Sequence, residues 1–478
     1  MTSVIEAIQI GETASLRDAM KAMREGGKGL VCVRTKAGRV IGVLSDGDIR
    51  NALLEGRSMD DDAAKVMTRD FVYVRSDQTE KEARELLSNK IRVVPILNAE
   101  GQLTGLVNPA VIPVFEPNFL ERERKLLMEC IDTGWISSQG RFIPAFEEIF
   151  ARRMTMPYGV ATSNCTTALH LALVALGIGS GDEVLCPDLT FISPANMIRL
   201  TGATAVLVDV EPESLGMDVR HAAAKITPKT KAIMVVHAFG HSADMDPITA
   251  LAKKHGLRVI EDSAEAPGAL YKGRAIGSIG DLSCFSFFAN KIVTTGEGGM
   301  VLCRDKEMDK SLRMLRDHGM SREKRYVHDV IGFNYRMTNM QAAIGIAQME
   351  QFDSILIQRD AQAAHYQRRF SESRTVRWRP TLDYCRPVHW LATITLDDES
   401  LRDPLIEHLG MVGIDARPMV YPIHMAKPYQ AGNDPRDFPI SRSIGLRSLH
   451  LPSSTKLSTA QIDRICDSVM EWTDVRRV

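Results

Sequence analysis

The chain is 478 residues long, 44% hydrophobic and 25% charged, an ordinary composition for a folded protein with material for two or three domains. Its formal net charge of -1 provides no bulk field to draw in nucleic acid or an anionic membrane, so neither is expected as a partner and any anion must be held by a local site. The opening stretch MTSVIEAIQIGETASL carries acids and no long apolar run, which argues against a secretory signal or a membrane span and leads us to expect a cytoplasmic protein.

The first hundred residues contain an internal repeat. KGLVCVRTKAGRVIGVLSDGDI, from Lys28, aligns with IRVVPILNAEGQLTGLVNPAVI, from Ile91, so that Gly38 meets Gly101 and Gly42 meets Gly105. Each copy pairs a helical stretch (Leu16, Ala19, Met20, Met23; then Glu82, Ala83, Leu86, Leu87) with two short β-branched strands around a glycine turn. One such unit cannot bury its own apolar face, so the copies are expected to pack as a pair. Residues 1–112 resemble a tandem CBS module, an α+β pair. In that family the motif Gly-x-x-Ser/Thr-x-x-Asp grips the ribose and phosphate of an adenine nucleotide. The resemblance therefore implies Ser45 and Asp48, after Gly42, as a nucleotide site, while the second copy departs from the motif with Asn108 and Val111. A purely structural or assembling module is the alternative.

A linker, NPAVIPVFEPN, precedes a change of pattern. The apolar runs 183–187, 205–210, 231–237, 257–263 and 282–287 now alternate with helical stretches such as 166–176 and 246–256. This alternation predicts an α/β domain with a mostly parallel sheet, buried on both faces, and a ligand site at the carboxyl ends of its strands. Within it ATSNCTTALHLAL sets small hydroxyl residues at a helix start, where free N–H groups suit a phosphate or simply a capped end. In PDLTFISPAN, Phe191 follows a strand and can stack on a flat ring or fill a core. LRVIEDSAEAPG runs a strand into two acids, of which Asp262 can pair with a cationic ring nitrogen.

FSFFANKIVTTGEGGM places Lys291 between an apolar strand and a glycine-rich turn, among Ser286, Asn290, Thr294 and Thr295. An amine used to form a Schiff base needs such partial desolvation, although a surface lysine before a turn reads the same way. Eight cysteines (Cys32, Cys130, Cys165, Cys186, Cys284, Cys303, Cys385, Cys466) show no Cys-x-x-Cys pair and read as reduced structural thiols, and no metal site is expected.

In chain order SNCTTALHLAL, PDLTF, VIEDSAEAPG, FSFFANKIVTTGEGGM, IGFNYRMTNMQAAIG and RPMVYPIH resemble the DegT/DnrJ/EryC1/StrS sugar aminotransferases over residues 113–475. The resemblance implies fold type I, with a large domain at 113–355, a smaller C-terminal α/β domain at 356–478, and pyridoxal 5'-phosphate as cofactor. It implies that Lys291 bonds the cofactor and then serves as base, that Asp262 pairs with the pyridinium nitrogen, and that Glu265 lies near the phenolic oxygen. Phe191 would stack on the ring; Cys165, Thr166 and Ser286 would form the phosphate cup; and Asn334 would reach the phosphate from a neighbouring subunit, requiring a homodimer or higher homo-oligomer. Trp135, Ser137 and His424 are further candidate substrate contacts, and Arg336 and Arg417, which lie in the quoted motif segments, either meet the substrate's diphosphate or the donor's carboxylate or are surface arginines with no such role. Cys165 stands where glycine is common, and His389 where an aromatic is more usual.

The implied reaction moves an amino group from L-glutamate to a nucleotide-linked 4-keto-6-deoxy sugar, with GDP-4-keto-6-deoxymannose favoured. Two alternatives are a nucleotide-sensing regulator on a non-catalytic scaffold and a sugar dehydratase. Related 3-dehydratases carry histidine at the lysine position, which this chain does not.

Overall fold

The computed structural model describes residues 2–26, 29–78, 82, 86, 91, 93–107, 111–321, 323–324 and 326–475. Two compact units divide the chain, Met1–Val111 and Ile112–Val478.

In the first unit the repeat becomes two equivalent sheets. β1 (Gln9–Gly11) pairs in parallel with β2 (Leu30–Arg34), which pairs antiparallel with β3 (Val40–Ser45). β4 (Val74–Arg75), β5 (Val94–Leu97) and β6 (Leu103–Val107) repeat that order. The likeness extends to irregularities: the ladder slips at Val33/Arg34 and again at Ile96/Leu97. Both hairpins turn on a left-handed glycine, Gly38 at φ 84° and Gly101 at φ 77°. The copies do pack as a pair, Val40 N–H donating to Gly101 O at 2.9 Å while Cys32 and Val40 share a core with Leu97 and Leu103.

The Leu16–Gly26 helix buries Leu16, Ala19, Ala22 and Met23. Met20, counted on the apolar face from the sequence, is exposed, because the buried stripe runs through Ala22 instead. In the second copy Ala83 and Leu87 of the expected helix, and Asn108, lie outside the described residues.

The second unit is built on a seven-stranded sheet in the order β7-β15-β14-β11-β10-β8-β9. β8 (Glu183–Pro187), β9 (Thr204–Val208), β10 (Thr230–Val236), β11 (Arg258–Asp262) and β14 (Leu282–Ser286) are mutually parallel. β15 (Gly299–Cys303) runs against both β14 and β7 (Tyr158–Thr162). Strand alternation splits the side chains between two cores: Ile233, Val235, Met300 and Leu302 face one, Ala232, Met234, Val301 and Cys303 the other. The Phe142–Arg153, Met245–His255 and Asn339–Glu350 helices cover the first face, and the Cys165–Ala175, Ser193–Leu200 and Lys306–Arg316 helices the second.

A short sheet, β12 (Leu270–Tyr271) with β13 (Arg274–Ala275), takes β17 (Cys385–Arg386) as its third strand. The C-terminal residues add a four-stranded antiparallel sheet in the order β16 (Val376–Trp378), β18 (Ala392–Leu396), β20 (Ser448–Leu451), β19 (Arg417–Pro418). The Phe352–Phe370, Arg402–Met411 and Thr459–Val475 helices pack around it.

Two expected boundaries differ from this. Ile112 belongs to the second unit, buried against Ile414 with its N–H donated to Gly413 O at 2.9 Å. Position 355 falls inside the continuous Phe352–Phe370 helix, and β17 returns to pair with β12. All eight cysteines are buried and unbridged. Among the described residues no helix is long and apolar enough to cross a membrane, and no cluster of three metal-ligating side chains occurs.

Ser45 caps the Asp46–Leu54 helix: its hydroxyl donates to Asp48 Oδ2 at 2.7 Å and accepts from Asp48 N–H at 3.2 Å. Replacing Ser45 with alanine should cost about 1 kcal/mol of the first unit's stability, read from urea unfolding of the full chain, and Ser45→Asn should recover most of it.

Candidate active site

The parallel strands deliver their ends to one edge of the sheet, where β8 is followed by Asp188, β10 by His237, β11 ends in Asp262, and β14 ends in Ser286. β7 runs the same way and leads into the Cys165–Ala175 helix. Asn164 caps that helix, its Oδ1 accepting from Thr167 N–H at 2.9 Å, which leaves the first-turn amides of Cys165 and Thr166 facing outward. Thr166 Oγ1 lies 2.9 Å from Ser193 Oγ, and Ser286 Oγ accepts from Phe288 N–H at 3.3 Å. The glycines after Lys291 permit this closeness: a Cβ on Gly299 would sit 2.5 Å from the Asn164 carbonyl.

Glu261 and Asp262 point to opposite faces of β11. Glu261 accepts from the amides of Gly277, Ile279 and Gly280 and lies 2.9 Å from His237 Nε2. Burial alone would push its carboxyl up, yet His237 and the glycine amides hold it below the ordinary value. His237 Nδ1 accepts from Ala243 N–H, which assigns the ring proton to Nε2, directed at Glu261. Asp262 is buried as well, but among the described residues its hydrogen-bond donor is Ala264 N–H, at 3.0 Å. Burial therefore pushes this carboxyl up to about 6; the Ala264 amide opposes the shift, Glu265 adds to it and Lys291 reduces it.

Lys291 and Glu265 face one another with Nζ 3.4 Å from Oε1, each side chain 11% exposed. The other Glu265 oxygen accepts from Phe239 N–H at 2.6 Å, on a residue held at φ 54°. Cys165 sits within electrostatic reach of Asp262 and Lys291, and burial first, then Asp262, pushes its thiol far above the ordinary range. It is therefore a neutral small side chain rather than a reactive thiolate.

Asp262, Glu265, Lys291, Ser286, Cys165 and Thr166 thus share one edge of the sheet. Phe191, 60% exposed, stands on the loop just past β8. Asn334 and Arg336 run beside the end of β7, with Ser163 N–H donating to Tyr335 O at 2.8 Å.

The expected substrate contacts fare differently. Arg336 is engaged with Asp317 at 3.0 Å and with Asn334 Oδ1 at 2.9 Å. Arg417 lies exposed on the edge strand β19, 3.6 Å from Asp415. Trp135 and Ser137 line an exposed segment whose carbonyls are both held by Asn339, beside a cleft of about 500 Å³ formed with Glu129, Arg141 and Phe142. His424 is buried, with Nδ1 2.7 Å from Asp188 Oδ2 and its plane stacked on Phe438, so it fastens the 421–424 segment to the end of β8, while its Nε2 is buried without a partner among the described residues.

Three rings beside the lysine went unmarked in the sequence. Trp390 lies under Nζ, Phe239 stacks parallel to Trp390, and His450, pushed down to about 3 by burial and then by Lys291, stays neutral. The position beside His389 was the available signal, since the aromatic missing there is supplied one residue later.

A lysine facing a carboxylate, a second carboxyl buried without a full set of donors, and a helix N-terminus closed over by glycine, all at one end of a mostly parallel sheet, define a fold type I pyridoxal-phosphate-type site. The chain belongs to the DegT/DnrJ/EryC1/StrS aminotransferase family, whose model matches residues 117–470, and CBS domains match 1–55 and 63–110. It is 45% identical over 357 residues to the GDP-perosamine synthase of Caulobacter vibrioides, covering 74% of this chain and 96% of that one. The GDP-perosamine synthase of Escherichia coli O157:H7 is 43% identical over 361 residues, covering 76% and 98%. Among solved structures, S. venezuelae DesV superposes with a TM-score of 0.71 at 35% identity, over 75% of this chain and 95% of that one. A protein described as a putative sugar aminotransferase, Spr1654 of Streptococcus pneumoniae, gives 0.74 at 27%, over 76% and 98%.

Because the folded state raises the Asp262 pKa, it keeps the proton that the unfolded chain releases near pH 4, and stability falls as pH rises from about 4 through about 6. In the ligand-free protein Asp262→Asn should therefore be near neutral at pH 4 and stabilising by up to ~3 kcal/mol at pH 8, as measured by urea unfolding at both values.

Proposed function

We propose that this protein is a pyridoxal 5'-phosphate-dependent aminotransferase that moves an amino group from L-glutamate to a nucleotide-linked 4-keto-6-deoxy sugar, with GDP-4-keto-6-deoxymannose the favoured acceptor and GDP-perosamine the product. The observation that carries this reading is the contrast at the end of β11, where Asp262 is buried with a single described donor, 29 residues before Lys291.

The residues fit the cofactor. Asp262 lacks the kind of donor that a protonated pyridine nitrogen supplies, and the Asn290 Oδ1 and Ser263 Oγ atoms beside the site are buried without partners. The Cys165 and Thr166 amides with the Thr166 and Ser286 hydroxyls offer donors to a phosphate. When bound, pyridoxal phosphate supplies an electron sink that makes the C–H bond of the amino donor breakable. Asp262, ionised against the pyridinium, would keep that sink effective. Lys291 Nζ would carry a proton between the donor carbon and the cofactor carbon, and in the second half of the exchange between the cofactor carbon and the sugar carbon that receives the amine, with Glu265 3.4 Å away keeping the amine within reach. Phe191, 60% exposed on the loop past β8, would close one face of the ring.

Trp135, Ser137, Arg336 and Arg417 remain candidates for the sugar nucleotide, with the arginines suited to its diphosphate or to the glutamate carboxylate. Arg336 must exchange Asp317 for substrate to do so. In this reading Asn334 serves the phosphate of a neighbouring subunit, so the active form is at least a homodimer.

Lys291→Ala should reduce amine transfer from glutamate to GDP-4-keto-6-deoxymannose to background, followed by mass spectrometry of the sugar nucleotide; retained turnover would sink the assigned role. The retained lysine argues against the dehydratase reading. A nucleotide-sensing function is favoured by one observation, the Ser45–Asp48 pair at the start of a helix in the CBS unit. Titration with ATP or AMP should then show binding that Asp48→Ala abolishes together with any change in rate, and an absence of both effects would leave the unit structural.

A further inference from the structure

Trp390 meets Lys291 twice. Its indole Nε1–H donates to Asn290 O at 2.7 Å, fastening the backbone one residue before the lysine, and Nζ lies 3.5 Å from the centroid of its ring. The indole is itself held firmly. Phe239 lies parallel to it at 3° and 6.4 Å, and the Trp390 carbonyl accepts from Arg359 Nη1 at 3.0 Å. Arg359 is buried, packs over Phe115, also donates to Ser453 O, and has no carboxylate partner among the described residues. An unpaired buried cation is costly to keep, and here its hydrogen bonds fix the backbone that carries the indole.

Nζ is consequently flanked by two attractive surfaces, the Glu265 carboxylate at 3.4 Å and the indole face at 3.5 Å. A lysine stem has four rotatable bonds and a strongly hydrated head, so an amine detached from its ligand gains entropy by swinging into water. A tryptophan face is the ring surface that best competes for it, and more so when desolvated, as here with Trp390 6% exposed.

We propose that Trp390 is a positioning residue for Lys291: its indole face receives the ammonium whenever the lysine is not bonded to the cofactor, and its Nε1–H holds the loop that aims it. This rests on the aminotransferase reading only for when the lysine is free; the cradle itself is a property of the chain.

The test uses the full chain freed of cofactor, with tryptophan replaced biosynthetically by a series of increasingly fluorinated tryptophans. Fluorine weakens the attraction of the ring face for a cation while preserving ring shape and the N–H. The readout is the rate at which an amine-reactive ester acylates Lys291, followed by peptide mass spectrometry, with the exposed Lys272 and Lys456 as internal references. Acylation of Lys291 relative to those lysines should rise along the series, by about tenfold at full fluorination. Trp390→Leu should exceed that, and Trp390→Phe, which keeps a face but lacks the Nε1–H bond to Asn290 O, should fall between the unsubstituted protein and the leucine variant. A Lys291 rate that does not change with fluorination overturns the proposal, whatever the leucine variant does to folding. Since no turnover enters the measurement, loss of this cradle and loss of the transaminase reading are separate outcomes.

Discussion

The end of β11 decides what the rest of the second unit can do. Adjacent carboxyls on one strand leave in opposite directions, and in a sheet buried on both sides each must find donors in its own layer or remain undercompensated. Glu261 finds four, from His237 and the 277–280 loop, and stays ionised as part of the scaffold. Among the described residues Asp262 finds Ala264 N–H as its side-chain donor. The same burial that stabilises one residue in its charge makes the other a demand for a cationic partner. The helix dipole of Cys165–Ala175, the glycine passage at 298–299 and the Lys291 loop are arranged around that demand.

Much of this arrangement could be read in the sequence because its signals are local. Five parallel strands appeared as apolar runs between helical stretches, and strand-end acids, a capped helix start and a lysine before glycines are all short-range patterns. β7 and β15 escaped notice because they have little of that contrast: β15 opens inside a glycine turn, and its antiparallel course leaves no crossover helix to betray it. Trp390 and Phe239 could not be placed beside Lys291 from sequence because the contacts span separate strands of chain. The setting of His424 is not legible for the converse reason. Lying in a segment of family-like sequence says nothing of which way a ring turns, and Asp188 turns this one inward.

In the first unit the motif that suggested a nucleotide site is also a complete capping box. Ser45 and Asp48 exchange hydrogen bonds with each other's side chain and backbone, so a hydroxyl and a carboxylate are held in fixed geometry at a helix N-terminus. Stability and recognition draw on the same atoms there, and a ligand would have to replace the Ser45–Asp48 contact with something at least as favourable. The repeat was legible down to its glycine turns, whereas the shared register slip was not, since a bulge leaves no mark in the pattern of apolar residues.

The Phe352–Phe370 helix runs unbroken from the face of the large sheet to the C-terminal sheet, and β17 crosses back to join β12. A segment attached by a rigid rod and a returning strand is not an exchangeable cartridge. Chimaeras that graft the C-terminal part of one relative onto the large sheet of another would cut through a helix and orphan a strand, so new acceptor specificities in this family are more accessible through loop replacement than through shuffling of whole segments. Among the described residues neither a continuous helix nor a shared strand crosses the Val111/Ile112 boundary.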